Sequence, residues 1–190
     1  SALRYLDNEI LCVVDSVFAG KNISDLSIIK KDIPIVESIE RAKSMGSNVL
    51  LLGVLTSGGI RPKSWDIVIK EALEKGMSII NGLHDQISPS FSKYIINDSQ
   101  WIWDTRVPMF IPQIGSARAA ELKNKRVLMI GTDMAAGKMT VGLELYSYLI
   151  EKKRNTGFVA TGQVGITITG KGIPLDAYKL DHACGAVESA

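Results

Sequence analysis

Residues Ile130–Val141 read IGTDMAAGKMTV. The apolar run Val127–Ile130 precedes the loop and a helical pattern starts at about Lys138, so the stretch is expected to be a strand, a loop and a helix. That is the setting of a phosphate-binding loop of the form G-x-x-x-x-G-K-[ST]. Glycines let backbone N–H groups turn inward as an anion nest. The helix N-terminus adds partial positive charge, and Lys138 adds a full one. The match departs in two places. Gly131 comes one position early, with five residues between it and Gly137. Met139 occupies the position whose Ser or Thr hydroxyl would hold Mg²⁺, and the hydroxyl follows on Thr140. One helical position is roughly 100° of rotation, so Thr140 does not simply replace it. The loop then has a different shape, or holds no metal, or binds a phosphate other than an ATP triphosphate. Gly131, Thr132, Ala136, Gly137, Lys138, Met139 and Thr140 are the candidate cofactor-binding residues. Asp133 is a catalytic candidate, because a carboxylate beside a phosphate nest is costly unless it meets a cation or a substrate amine.

Outward from this loop, further apolar runs lie at Leu11–Val14, Val49–Leu52, Met77–Ile80 and Phe158–Ala160. They are apolar nearly throughout, as suits strands of a parallel sheet covered on both faces. Helical periodicity fills the gaps. Val36, Ile39 and Ala42 fall on one face of a helix ending at Gly46, and Trp65, Val68, Ile69 and Ala72 on one face of a helix ending at Gly76. After the loop, Val141, Leu145, Tyr148 and Leu149 line one face, widened by Leu143, Tyr146 and Ile150, so that helix is expected to be well buried. Trp101 and Trp103 alternate as on an edge strand. Strands alternating with helices mean βαβ units. The expected fold is α/β with parallel sheets: a Rossmann-like unit over 1–112 without its first strand, a linker over 113–124, and an incomplete P-loop NTPase-like domain over 125–190. A chain that starts with Ser1 in the pattern SALRYL, and stops soon after DHACGAVESA, reads as cut at both ends.

Sites in open α/β sheets lie beyond the carboxyl ends of the strands. Gly82-Leu83-His84-Asp85 follows one run, and His84 and Asp85 are further catalytic candidates, as a general base or as orienters of substrate. Helix capping by Asp85 or Ser88 is the plainer alternative. Thr56–Pro62 follows another run. Its Gly58 and Gly59 free backbone N–H groups, and Arg61 can take a carboxylate or phosphate bidentately, unless the stretch is only a surface turn. Thr161 and Gln163 follow the last run and complete the candidate substrate residues. Arg118 either reaches the cleft or is solvated. No metal-ligand pattern is present.

Across 190 residues, 22 Lys and Arg against 20 Asp and Glu leave a net charge of +2, too small and too scattered for a nucleic-acid binder. The run Lys152-Lys153-Arg154 sits where a helix should end, which the helix dipole explains. No apolar run approaches the roughly 20 residues of a membrane span. The two cysteines, Cys12 and Cys184, have no motif spacing. A cytoplasmic protein with a small-molecule substrate, no membrane partner and a homo-oligomeric state is expected.

The Gly-Thr-Asp opening with its Gly-Lys spacing resembles the loop of dethiobiotin synthetase, although that group carries Thr after the lysine. A wider resemblance covers nearly the whole chain. GVLTSGGIRP, NGLHDQIS, GTDMAAGKMT, GFVATGQVGI and GIPLDAYKLDHACGAVE, in that order, are similar to a family that pairs a Rossmann-like N-terminal part with a P-loop C-terminal part. Gly-Lys-Met-Thr is a feature of that family. The resemblance implies N-acetylation of a D-amino acid, notably D-glutamate, with acetyl-CoA as cosubstrate. CoA carries a pyrophosphate and a 3′-phosphate, either of which suits an anion nest without Mg²⁺. The alternatives are an ATP-dependent ligase of dethiobiotin synthetase kind, with Mg²⁺ only in that case, and a non-catalytic nucleotide-binding module. No G-x-G-x-x-G occurs, so the residues give no support to a dinucleotide site.

Overall fold

The structure is a computed structural model that describes residues 1–53, 56–133 and 135–190, with Ser57 described by its backbone alone. Val54 and Leu55 of GVLTSGGIRP and Met134 of the phosphate-loop stretch lie outside the described residues. The chain divides into two compact units, one of residues 2–106 and one of residues 107–190 with Ser1.

The 2–106 unit opens with a helical turn, α1 (Ala2–Tyr5), and holds two parallel sheets. Strand β1 (Val13–Val14) pairs with β2 (Ile35–Val36), Val13 beside Ile35. Between them α2 (Ile23–Leu26) is fixed by a capping box, with Asn22 Oδ1 accepting from Ser24 N at 3.1 Å and Asp25 Oδ2 from Asn22 N at 3.0 Å. Ile23, Ile33 and Ile35 form a small core there. Val36 thus belongs to a strand, not to the following helix, as its periodicity had implied. Helix α3 (Ile39–Ser44) starts three residues later, after its N-cap Ser38, whose hydroxyl accepts from Arg41 N at 3.1 Å.

The second sheet runs β3 (Val49–Leu52), β4 (Ser78–Asn81), β5 (Ile102–Asp104), with β4 in the middle and every pair parallel. Helix α4 (Trp65–Glu74) connects β3 to β4 and buries Ile69, Ala72 and Leu73, as the 3.6 period requires. Gly76, at φ 76°, ends it: its N–H reaches the Leu73 carbonyl at 2.9 Å and Met77 N–H the Ala72 carbonyl at 2.9 Å, a Schellman motif. The buried Gln100 amide closes the same end by donating to the Leu73 and Met77 carbonyls at 2.8 and 2.9 Å. Ile39, Ile69, Leu73, Met77, Ile79 and Ile87 make the main core. Trp103 lies in the edge strand β5, and Trp101 immediately precedes it.

The 107–190 unit is built mainly from α6 (Lys138–Glu151), α7 (Gln163–Thr169) and α8 (Leu180–Ser189); α5 (Ser88–Phe91) belongs to the first unit. Two expected strands are corrected here. Val127–Ile130 forms no strand, and Val127, Leu128 and Ile130 are exposed. Phe158–Ala160 contributes only a parallel bridge from Ala160 to Gly172. A strand needs a neighbour to take up its N–H and C=O groups, and among the described residues 127–130 pair with none. Helix α6 is also less buried than expected. Only Gly142 and Leu143 are buried, and Val141, Tyr148 and Ile150 are exposed. The packed face is that of Gly142, Leu143 and Tyr146. An added Cβ on Gly142 would lie 3.3 Å from the Phe158 ring and 3.4 Å from Met129, and Tyr146 meets Phe158 edge-on at 5.5 Å. Leu143, Ala160, Ile166, Ile173 and Ala186 are this unit's buried apolar residues.

Candidate functional site

In the loop before α6, Ala135 and Gly137 adopt left-handed backbone, at φ 56° and 89°. Gly137 caps α6, whose first hydrogen bond runs from Val141 N to the Gly137 carbonyl at 3.0 Å. The N–H groups of Lys138, Met139 and Thr140 are therefore the donors that the helix itself leaves unused. Gly137 is required for its φ and not for space, since an added Cβ would meet nothing within 4 Å. Gly131 lies close under the Lys138 side chain: an added Cβ would be 3.0 Å from Lys138 Cγ and 3.4 Å from Nζ. Lys138 thus curls back over the loop's first glycine, and its ammonium donates to the Asp133 carbonyl. Thr132, Asp133 and Ala136 are exposed on the rim.

This arrangement fits a phosphate. Three helix-end donors, the positive end of the α6 dipole and the Lys138 ammonium gather at the start of α6, with Gly131 beneath the lysine. The side chain at the usual metal-ligand position is the half-buried Met139, while the Thr140 hydroxyl is exposed one position on. Thr161 is exposed, and its carbonyl accepts from Leu175 N at 3.2 Å; Gln163 is the first residue of α7 and half-buried.

The remaining candidates lie in the 2–106 unit, beyond the carboxyl ends of β3, β4 and β5. Gly58 and Gly59 are both left-handed, at φ 69° and 66°. The Gly59 carbonyl accepts from His84 N at 3.0 Å, and a Cβ on Gly59 would collide with the His84 ring. Asp85 Oδ2 accepts from Arg61 N at 2.8 Å. These contacts latch the loop after β3 to the loop after β4, and Asp85 spends one oxygen on the latch instead of capping a helix. Among the described residues the side chains of His84 and Asp85 share no hydrogen bond, so they are not a coupled pair. The Arg61 guanidinium pairs with Asp66 and stacks 5.2 Å over the Phe91 ring.

Two polar residues outside the candidate set organise this edge. Asn81, fully buried at the end of β4, donates to the Asp85 carbonyl and to Asp104 Oδ1, both at 2.7 Å. Asp104, buried at the end of β5, also takes the Ile87 and Ser88 N–H groups at 3.0 Å each and so caps α5. The available signal was an Asp placed after an apolar strand run. Arg106 Nε donates to the Gly82 carbonyl at 2.9 Å, and burial lowers the guanidinium pKa. Near the chain end, Glu188 is a further organiser. Its side chain is 7 % exposed and accepts from Ser116 N at 2.8 Å, Ser116 Oγ at 3.2 Å and Ala119 N at 3.2 Å, with Arg118 Nε at 3.8 Å. The Ser116 N–H bond, foremost, holds its pKa below the ordinary 4.5. Arg118 thus turns to this carboxylate. Among the described residues no three His, Cys, Asp or Glu side chains gather as a metal ion would need, and no helix is long and apolar enough to cross a membrane.

Comparison with known proteins agrees with this division. Residues 16–108 match the Rossmann-like domain of a family described as a domain of unknown function, DUF1611_N, and residues 113–190 match its P-loop domain, DUF1611_C. A D-glutamate N-acetyltransferase from Pseudoalteromonas sp is 36% identical over 155 residues, covering 80% of this chain and 46% of that protein. One of the same name from Tritonibacter scottomollicae is 35% identical over 153 residues, covering 80% and 45%. The crystal structure of a DUF1611 family protein from Anabaena variabilis superposes with a TM-score of 0.91 at 38% identity, over 99% of this chain and 55% of that one. The chain spans about half the length of these relatives.

Proposed function

Because the chain belongs to the DUF1611 family, with its Rossmann-like and P-loop parts in that order, we propose that it serves N-acetyl transfer from acetyl-CoA to a small D-amino acid. D-glutamate is the acceptor that the names of the two enzymes similar to it suggest. In that reaction the free amine attacks the thioester carbonyl. A C–N bond forms, the C–S bond breaks, and CoA leaves as the thiolate, which takes up a proton. The ammonium must first lose a proton to a base. Asp133, in the loop, is the base this reading favours. His84 and Asp85 belong to the other unit, and Asp85 already holds the Arg61 N–H.

The observation that carries the reading is the cradle around Gly131 and Lys138 with Met139 at the usual Mg²⁺-ligand position. It supports a phosphate-bearing cosubstrate held by N–H groups and an ammonium, as CoA would be. Titration calorimetry with acetyl-CoA, CoA and ATP, each with and without Mg²⁺, tests it. Acetyl-CoA is expected to bind without metal, and Lys138→Ala to weaken it by about 2–4 kcal/mol, the cost of losing one partner of a charge-assisted contact. Mass spectrometry should then find the acetylated product from D-glutamate and acetyl-CoA. Binding of ATP alone, and only with Mg²⁺, would overturn the reading in favour of a ligase.

A further inference from the structure

In the 2–106 unit, α4 and the segment from α5 to Tyr94 enclose an open cleft of ≈ 350 Å³. Its floor is aromatic: Phe91 is buried, and the Tyr94 ring lies 6.1 Å from it. Cations from separate elements converge on that floor. Arg61, from the loop after β3, stands 5.2 Å over the Phe91 ring. Lys70 of α4 and Lys93 stand 5.1 and 5.2 Å from the centre of the Tyr94 ring.

Three positive groups packed around two rings repel one another, and the ring faces offset only part of that repulsion. The acids nearby are fewer. Asp66 faces Arg61, and Glu74 approaches Lys70 at 3.7 Å on the exposed surface, an exchangeable pair of small worth. Lys93 has its contact with the ring. The Arg61 guanidinium, 17 % exposed, is packed between Asp66 and the Phe91 ring. Ile67, 74 % exposed, forms an apolar rim.

We propose that this cleft binds a compact organic anion carrying two or more oxyanion charges, its carbon frame lying against Phe91 and Tyr94. Lys70 and Lys93 hold one charged end, and the Arg61 guanidinium holds the other, sharing its fork with Asp66. A dicarboxylate and a phosphate ester both have this chemistry. The proposal does not rest on acetyl transfer, since Arg61, Lys70 and Lys93 all lie in the unit without the phosphate loop.

The test is titration calorimetry on the whole chain without acetyl-CoA, using D-glutamate, glutarate, glycerol 3-phosphate and, as monovalent control, acetate. Saturable binding of at least one dianion is expected, with acetate weaker. The double variant Lys70→Ala/Lys93→Ala changes only partly exposed side chains and should lose about tenfold or more in affinity. Arg61→Gln, checked for folding by circular dichroism, should do the same, whereas Lys138→Ala should leave the affinity for glutarate unchanged. Preference for glutarate or for glycerol 3-phosphate tells the carboxylate source from the phosphate one. No saturable binding, or binding that follows Lys138 and ignores the lysine pair, would overturn the assignment. Failure of acetylation with dianion binding intact would count against the proposed reaction alone.

Discussion

At the scale of single residues, the tightest constraint is at Gly59. Its left-handed backbone and the His84 ring against it each exclude a side chain, and the two exclusions are separable. Gly59→Ala is expected to cost about 1–3 kcal/mol, from αL strain plus displacement of the imidazole. In a His84→Ala background the collision term disappears and only the backbone term should remain. A double-mutant cycle by urea denaturation measures the difference. Equal costs in both backgrounds would show that the ring simply moves aside. Individual residues were the least legible scale. Lys138, Gly131 and Gly137 were readable because a motif fixes their spacing. Asn81 and Asp104 were not, because their roles depend on strands brought side by side by the fold, and they lie 23 positions apart in the chain.

At the scale of elements, local signals succeeded where an element carries its own ends. Helix α4 was readable from its apolar face and Gly76, and β3 from an unbroken run, Val49–Leu52. The signals failed where an element depends on neighbours. Ile35–Val36 continues the helical period of α3 and becomes a strand only because β1 lies beside it. Val127–Ile130 has the composition of a strand but no partner among the described residues. Helix α8 is a case where one carboxylate fastens an element. Glu188 ties it to the turn of Ser116–Glu121, and Gly185 fits beneath because a Cβ there would collide with the Gln113 carbonyl. Since the folded state lowers the Glu188 pKa, the clasp contributes its full stability above the ordinary value of 4.5 and loses it as pH falls through the lower folded value. An acid titration followed by NMR should therefore move the Ser116 and Ala119 amide signals together below that pH. Glu188→Gln should remove the step, and a step that persists would assign it to another group.

At the scale of the whole molecule, the two units differ in how their backbones are secured. Residues 2–106 hold every ladder among the described residues, and the β4 residues Ile79 and Asn81 are fully buried. In residues 107–190 the helices supply most of the hydrogen bonding, and Val127, Leu128 and Ile130 stand open to solvent. Native-state hydrogen exchange should accordingly separate them. The Ile79 and Ile80 amides are expected to exchange at least about a hundredfold more slowly than those of Leu128 and Ile130. Comparable rates would mean that the second unit is secured by contacts outside the elements described. The boundary itself, between Arg106 and Val107, has a genetic consequence. Apart from Ser1, each unit is one uninterrupted stretch of chain, and no strand pairing among the described residues crosses the join. A single recombination breakpoint there would part the two stretches without cutting a described strand ladder, so gene fusion and domain shuffling have a ready seam between codons 106 and 107.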